Sequence, residues 1–399
     1  MKILQLSTYP IKEPRHGGQI RVYQIRKQLE KLGHDVISVS FSEVSHVHFD
    51  DEYDFIMDSH QLSQEISTPY ATDLATALIC EKSKKCQSFL VHHLKEHLPD
   101  YIFIEQPWLW PAVKRIKQKH PNLIKKIIYS SQNVEFETKK SLFSNNMIQD
   151  NDNVVDTIKS IEMDFINNAD DVICCTNNDA DIYFTLMNKN AHVCPNGVAP
   201  ILNNDRVTAI RKSLRKKLGK RKKYALFVGS AYPPNAQGFW DNLSGSLSWL
   251  GMDEFIFSVG GCSNILDDFM PKEADIASYL NFDKVKRLGY VSNEELSALI
   301  YECTLIILPI SDGGGSNLKT AEAIISNKPV VATEMSCRGF DNFDKYTNVF
   351  VCGNDTQFRE KIKYCFENTL CTELNEEEKN SRARVYWTNT LKGIKNVVV

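Results

Sequence analysis

Short apolar runs alternate with amphipathic stretches along almost the whole chain. Residues 3–6 form an apolar run broken only by Gln5, and Val22, Ile25, Leu29 and Leu32 then recur at helical spacing before Gly33. A second apolar run at 35–41 makes this a strand–helix–strand unit, opened by a loop over 9–18 that ends in Gly17 and Gly18. Further strands are predicted at 101–105, 127–130, 171–175 and 192–194, with helices at 156–169 and 178–187. Residues 42–100 show no clear period, and an Asn196-Gly197 turn closes the region.

The pattern then restarts. Residues 206–223, RVTAIRKSLRKKLGKRKK, predict a linker helix and turn at a domain boundary. Strands are expected at 224–230, 255–259, 285–291, 305–310, 329–333 and 348–352, a loop at AYPPN, and helices at 236–250, 294–301, 356–369 and 376–392. Apolar strands separated by helices call for mostly parallel sheets covered on both faces. The expected architecture is therefore α/β, with two doubly wound domains at 1–200 and 201–375 and a C-terminal segment, 376–399, that completes the first.

The stretch DGGGSNLKTAEAIISNKPVVAT adds candidate chemistry. Gly313, Gly314 and Gly315 allow positive φ and close approach to a ligand, and Ser316 is a suitable N-cap for a helix whose free N–H groups favour an anion. Lys319 and Glu322, three residues apart, share a helix face and offer a cation for a phosphate and a carboxylate for neighbouring hydroxyls. The alternative is an ordinary strand–turn–helix connection.

Several other features carry two readings. Arg15, His16 and Arg21 flank the Gly17-Gly18 loop, either to meet an anion or as solvated side chains, and the GxGxxG spacing of a dinucleotide site is missing. The tryptophans of QPWLWP form either a wall for a sugar or an apolar plug under the loop. Gln132, Asn133 and Glu135 follow a strand end, where ligands of doubly wound sheets collect. The basic segments 113–126 and 206–223 read as solvated helices or as contacts with anionic lipid. His46, His48, His92 and His93 have no further ligands at a recognised metal spacing, so no metal site is expected.

Composition narrows the class. With 42% hydrophobic and 24% charged residues the chain is globular, and a net charge of −3 gives no reason to expect nucleic acid. Eleven cysteines without a CxxC pair favour a reducing compartment over a disulfide framework. The N-terminus does not read as a signal segment and no apolar run has membrane-spanning length, so a cytoplasmic protein is expected, with peripheral contact at the inner membrane face as a variant.

Taken together, HGGQIRVYQIRKQLEKLGHDV, SQNVE, ADDVICCTNND, CPNGV, LFVGSAYPPN, VKRLGYVSNEEL, DGGGSNLKTAEAIISNKPVVAT and VYWTNTLK resemble, in order, the family-four retaining glycosyltransferases of GT-B architecture. The resemblance implies two facing Rossmann-like domains, and transfer of a sugar from a UDP- or GDP-type nucleotide sugar, a co-substrate, to a carbohydrate, lipid-linked or protein acceptor without cofactor or essential metal. It implies that residues 313–316, with Asn317 and Leu318, hold the diphosphate, that Glu322 meets the ribose, and that Gly289, Tyr290 and Val291 read the base. Gly17 and Gly18 would approach the donor, Ser230 and Asn235 would line its site, and Lys319, Glu105 and Glu135 are the candidate catalytic groups, with Asn133 beside them.

Two departures stand out. The first carboxylate of the family's Glu-x7-Glu pattern is replaced by Gly314, as in a Gly-rich subgroup, and the usual Arg and Lys pair reads Ser230 and Gln237 or Gly238. Lys319, with Arg15 or Arg338, is left to supply the charge. The missing pair raises a second reading, a catalytically weak protein that binds nucleotide or glycan. A GT-B epimerase or phosphorylase lacks matching marks.

Overall fold

The computed structural model describes the chain except residues 44–49, 146, 151, 220, 272–274, 313–316, 341, 371–372 and 399, and describes the backbone alone at 145 and 275–279. The Gly-rich turn, Gly313 to Ser316, thus lies outside the described residues, as do His46 and His48.

Two compact units result, one comprising residues 1–196 and 390–399, the other 197–312 and 317–389. Of the segment 376–399 only the last ten residues pack with the first unit.

The first unit begins β1 (Lys2–Ser7), α1 (Gly17–Lys31), β2 (Asp35–Glu43) and β3 (Asp54–Met57). Three helices, α2 (Ser59–Glu65), α3 (Thr72–Lys82) and α4 (Lys84–His97), lead to β4 (Tyr101–Glu105). Then come α5 (Trp110–Lys119), β5 (Lys126–Ser130), α6 (Glu135–Asn145), α7 (Val154–Asn168), β6 (Asp171–Cys174), α8 (Asn177–Met187) and β7 (His192–Val193). Its seven strands are ordered β3-β2-β1-β4-β5-β6-β7, all parallel, so the direction of winding reverses between β1 and β4. Strand β3 and helices α2 to α4 lie in the stretch where the sequence showed no period.

The second unit starts with α9 (Asp205–Leu218), β8 (Lys223–Val228), α10 (Pro233–Asn242), β9 (Glu254–Val259), α11 (Asp275–Lys284) and β10 (Val285–Gly289). It continues with α12 (Asn293–Glu302), β11 (Leu305–Leu308), α13 (Leu318–Ile325), β12 (Val330–Thr333), β13 (Val349–Cys352), α14 (Asp355–Glu367), α15 (Glu376–Arg382) and α16 (Trp387–Thr390). Six parallel strands run β10-β9-β8-β11-β12-β13, with the reversal between β8 and β11. Side chains alternate across this sheet: Tyr224, Leu226 and Phe257 enter one core, and Ala225, Phe227 and Ile256 the other. Burial on both faces explains why these strands read as unbroken apolar runs. Each large apolar side chain so buried contributes about 1.5–3 kcal/mol.

Four local expectations are corrected. Gly17 and Gly18 are the first residues of α1, whose N-cap is His16 with Nδ1 accepting from Gln19 N at 3.4 Å. Pro233 and Pro234 open α10, a position where a missing N–H costs nothing, so the AYPPN loop is shorter than expected. Helix α9, expected as a linker, packs within the second unit: Arg211 Nε and Arg215 Nε reach Glu302 of α12 at 2.6 and 2.5 Å, and its own Val207 is fully buried. The helix expected over 376–392 is broken, because Val198 N–H donates to Val385 O at 2.9 Å and Val198 O accepts from Trp387 N at 3.3 Å, which draws that backbone into a bridge.

Candidate functional site

In the second unit the predicted ligand residues gather at the carboxyl ends of the strands around the β8/β11 reversal. Helix α13 is fixed at three points. Asn317, not Ser316, is its N-cap, with the side-chain oxygen accepting from Lys319 N at 3.1 Å. On its buried face Thr320 Oγ1 donates to Ser336 O at 2.7 Å, and Ser336 Oγ donates to Leu308 O at 2.7 Å, linking α13 to the ends of β11 and β12. At the far end the buried Arg382 guanidinium donates to Ile324 O at 2.7 Å, a cation on the negative end of the helix.

So held, α13 presents Lys319 on its first turn and Glu322 on the next. Both are partly buried. Desolvation pushes the Lys319 ammonium below its usual value, opposed by Glu322, and desolvation pushes the Glu322 carboxyl up, opposed by Lys319. Each charge is thus poorly solvated, a state that an anion near Lys319 or a hydroxyl near Glu322 relieves. Leu318 is partly buried beside them.

The neighbouring loops come very close to one another. Gly260, at φ +88°, donates its N–H to Gly289 O at 2.7 Å, so one of the backbone groups expected to read a base is already engaged. A Cβ on Gly261 would lie 2.7 Å from Tyr290 Oη and 2.8 Å from Ala231 N. Tyr290 itself is exposed, Val291 is partly buried, and Asn235 Nδ2 donates to Ser230 Oγ and O at 3.2 Å each.

The absent cation pair has a steric side. A Cβ on Gly238 would sit 2.5 Å from Pro309 O and 2.8 Å from Ser311 Oγ, so α10 lies directly on the chain leaving β11. No lysine fits there without displacing backbone. Gln237 is exposed and bonded to Asp241 at 2.7 Å, one turn along its own helix. Arg338, after β12 on the same edge, places Nη1 2.9 Å from Met335 Sδ. Arg15 belongs to the first unit and faces Glu13 at 3.8 Å.

In the first unit the expected substrate-facing carboxylates are internal. Glu105, at the end of β4, is fully buried, accepting from Gln5 Nε2 at 2.8 Å and Ser130 Oγ at 2.6 Å. Burial raises its carboxyl to about 7, and those bonds and Arg21 oppose the rise. Glu135, also buried, starts α6, accepts from Gln106 Nε2 at 3.2 Å and Asn133 Nδ2 at 3.4 Å, and is raised to about 8 by burial and by Glu162. As placed, both buttress the strand-end loops instead of lining an acceptor surface.

Sequence reasoning missed Glu162, which organises this region. Fully buried on α7, it accepts from Tyr129 Oη at 2.8 Å, Tyr183 Oη at 2.9 Å and the backbone N–H groups of Glu135 and Phe136 at 3.2 Å, thereby capping α6 from another helix. Burial raises it to about 7. No local spacing signals such a role.

Gly18 has a packing reason too. A Cβ there would meet Tyr9 Oη at 2.5 Å and Gln132 Oε1 at 2.9 Å, and Gln132 Nε2 donates to that same Tyr9 oxygen at 2.6 Å. Arg21 is internal, its Nη1 donating to Cys194 O at 2.8 Å and Asn196 Oδ1 at 3.2 Å. Trp108 and Trp110 are both buried, Trp110 stacked on Phe165 with Nε1 donating to Asp164 at 2.7 Å, so the pair is a plug.

Two parallel Rossmann-like units make this the GT-B fold. The comparisons with known proteins take the same direction. Residues 222–368 match the family described as Glycosyl transferases group 1, which lies in the second unit, and the protein is a glycosyltransferase. No curated protein sequence matches the chain. Among solved structures, sucrose-phosphate synthase from Thermosynechococcus elongatus is similar at TM-score 0.71 and 13% identity, covering 100% of this chain and 98% of that one. WaaG, a glycosyltransferase involved in lipopolysaccharide biosynthesis, is similar at TM-score 0.64 and 13% identity, covering 100% and 98%. Anabaena HepE in complex with UDP and glucose follows at TM-score 0.63 and 14% identity, covering 100% and 99%.

No described helix is long and apolar enough to cross a membrane, and none of the ten described cysteines is in a disulfide.

Proposed function

We propose that this glycosyltransferase takes its sugar from a nucleotide-diphosphate sugar of UDP or GDP type bound at the carboxyl ends of β8 and β11. The observation that carries the reading is the poorly solvated Lys319 and Glu322 pair on α13, directly after the glycine-rich sequence 313–316. Lys319 and the helix N-terminus balance the charge that grows on the departing diphosphate, and Glu322 accepts from ribose hydroxyls. Ser230, Asn235, Tyr290 and Val291 shape the remainder of the donor site. The co-crystal of HepE with UDP and glucose supports a uridine nucleotide as the first donor to try. Transfer with retention, to a carbohydrate, lipid-linked or protein acceptor, accords with the family-four resemblance.

The direct test is calorimetric titration of UDP, GDP and their glucose and mannose conjugates, followed by turnover with the conjugate that binds. Binding to one nucleotide series, weakened by Lys319→Ala and by Glu322→Ala, is the expected result. Failure of every nucleotide and nucleotide sugar to bind overturns both assignments. The crowded Gly238 site, which leaves no room for the customary lysine, favours a second reading in which the nucleotide sugar binds but is neither transferred nor hydrolysed. Binding without turnover across varied acceptors decides for it.

A further inference from the structure

A second cluster of chemistry lies away from these strand ends, in the last turn of α4. His93, Glu96 and His97 each offer one ligand atom, and the three atoms lie within 4.8 Å of one another. The spacing i, i+3, i+4 puts them on one helix face, and a histidine pair at i, i+4 is a common way for a helix to hold zinc.

His93 supplies the independent observation. Its side chain is fully buried, yet neither ring nitrogen has a hydrogen-bond partner among the described residues. The Glu52 backbone approaches the ring without a bond of normal geometry. A buried imidazole whose nitrogens lack a well-formed hydrogen bond costs about 1–3 kcal/mol per unsatisfied group, a cost that a bound cation offsets. His97 Nε2 is also buried with no hydrogen-bond partner among the described residues. The His93 and His97 rings are nearly parallel, 11° apart with centroids at 5.7 Å, and Tyr53 stacks against both.

We propose that His93, Glu96 and His97 bind a divalent transition-metal ion of the zinc class. Two imidazoles and a carboxylate are an N/O donor set suited to zinc, leaving one position for water. The carboxyl end of a helix adds a negative potential favourable to a cation. Zinc with bonds of about 2.0–2.1 Å holds its ligand atoms roughly 3.4 Å apart. Rotation of the exposed Glu96 and the partly buried His97 closes the set around His93. Glu96 now faces His92 Nε2 at 3.1 Å and His97 Nε2 at 3.9 Å, so an ion at His97 replaces a weak existing contact.

The experiment uses the full chain without a polyhistidine tag, stripped with EDTA, and measures zinc affinity by competition with a chromophoric chelator. One equivalent of zinc is expected, with affinity reduced at least tenfold in Glu96→Gln and in His97→Ala, and unchanged in His60→Ala and His120→Ala. Cobalt(II) at the wild-type site should give visible absorption of low coordination number that both ligand variants lose. Glu96 is exposed, so its variant folds and keeps the test decisive even if His93→Phe does not. Absence of zinc binding overturns the proposal, as does binding that survives in both Glu96→Gln and His97→Ala or falls equally in the two control variants.

Discussion

At the scale of single residues, the proposed donor site rests on two desolvated charges. Removing a charged hydrogen-bonding group costs about 1.5–3 kcal/mol, roughly tenfold to hundredfold in affinity. Lys319→Ala should therefore weaken nucleoside diphosphate binding by that factor while leaving nucleoside binding nearly unchanged. Glu322→Ala should weaken both, since the ribose is common to them; titration calorimetry with uridine and UDP, or the guanosine pair, reads the difference.

The raised carboxylates make a separate prediction about pH. Glu135, raised to about 8, keeps its proton in the folded chain through a range in which the unfolded chain has released it. The folded state thus binds more protons than the unfolded state between about pH 5 and 8, and wild-type stability falls as pH rises through that window, by up to about 1.4 kcal/mol per unit for this group. Glu135→Gln removes that dependence and keeps an oxygen for Gln106 and Asn133. Its stability relative to wild type should climb from pH 5.5 to 8 in urea unfolding; a constant difference would refute a protonated Glu135.

At the scale of elements, crowding between α10 and the chain after β11 is the sharpest constraint. Gly238→Ala places a methyl 2.5 Å from a backbone oxygen and should destabilise the second unit by about 1–3 kcal/mol, seen as a lower urea midpoint with an unchanged slope. Arg215→Ala should change stability by under about 1 kcal/mol, because that side chain is largely exposed, and the change should shrink at high salt.

Elements are also where the sequence was most and least legible. Strands buried on both faces, such as residues 101–105, announce themselves as apolar runs, and β4 has those bounds. β3 does not, because its four residues DFIM include an aspartate and only Met57 is fully buried. The shared helix placement of Lys319 and Glu322 was readable because their spacing is local. Glu162 was not, since its partners Tyr129, Glu135 and Tyr183 lie 33, 27 and 21 residues away. The enclosure of Glu105 and Arg21 was not legible for a related reason. A charged residue beside a glycine-rich turn or at a strand end usually faces solvent, whereas these two are enclosed with Gln5, Ser130 and Cys194 as partners.

At the scale of the whole molecule, each unit has its own parallel sheet, and the first also takes in residues 390–399. Leu391, Ile394, Val397 and Val398 of that tail are buried, and a Cβ on Gly393 would lie 3.0 Å from Cys194 Sγ. A chain ending at Asn389 should consequently lose protection in α1 and β7 in hydrogen exchange while β8 to β13 keep theirs. Equal loss in both units would mean that they unfold as one.

The same tail sets an order on biosynthesis. Translation delivers residues 1–196 first, yet the apolar seat for 390–399 is covered only after every residue of the second unit has been made. The unit born first is the last to be completed. A ribosome that stops before residue 390 leaves the seat of Leu391, Ile394, Val397 and Val398 uncovered.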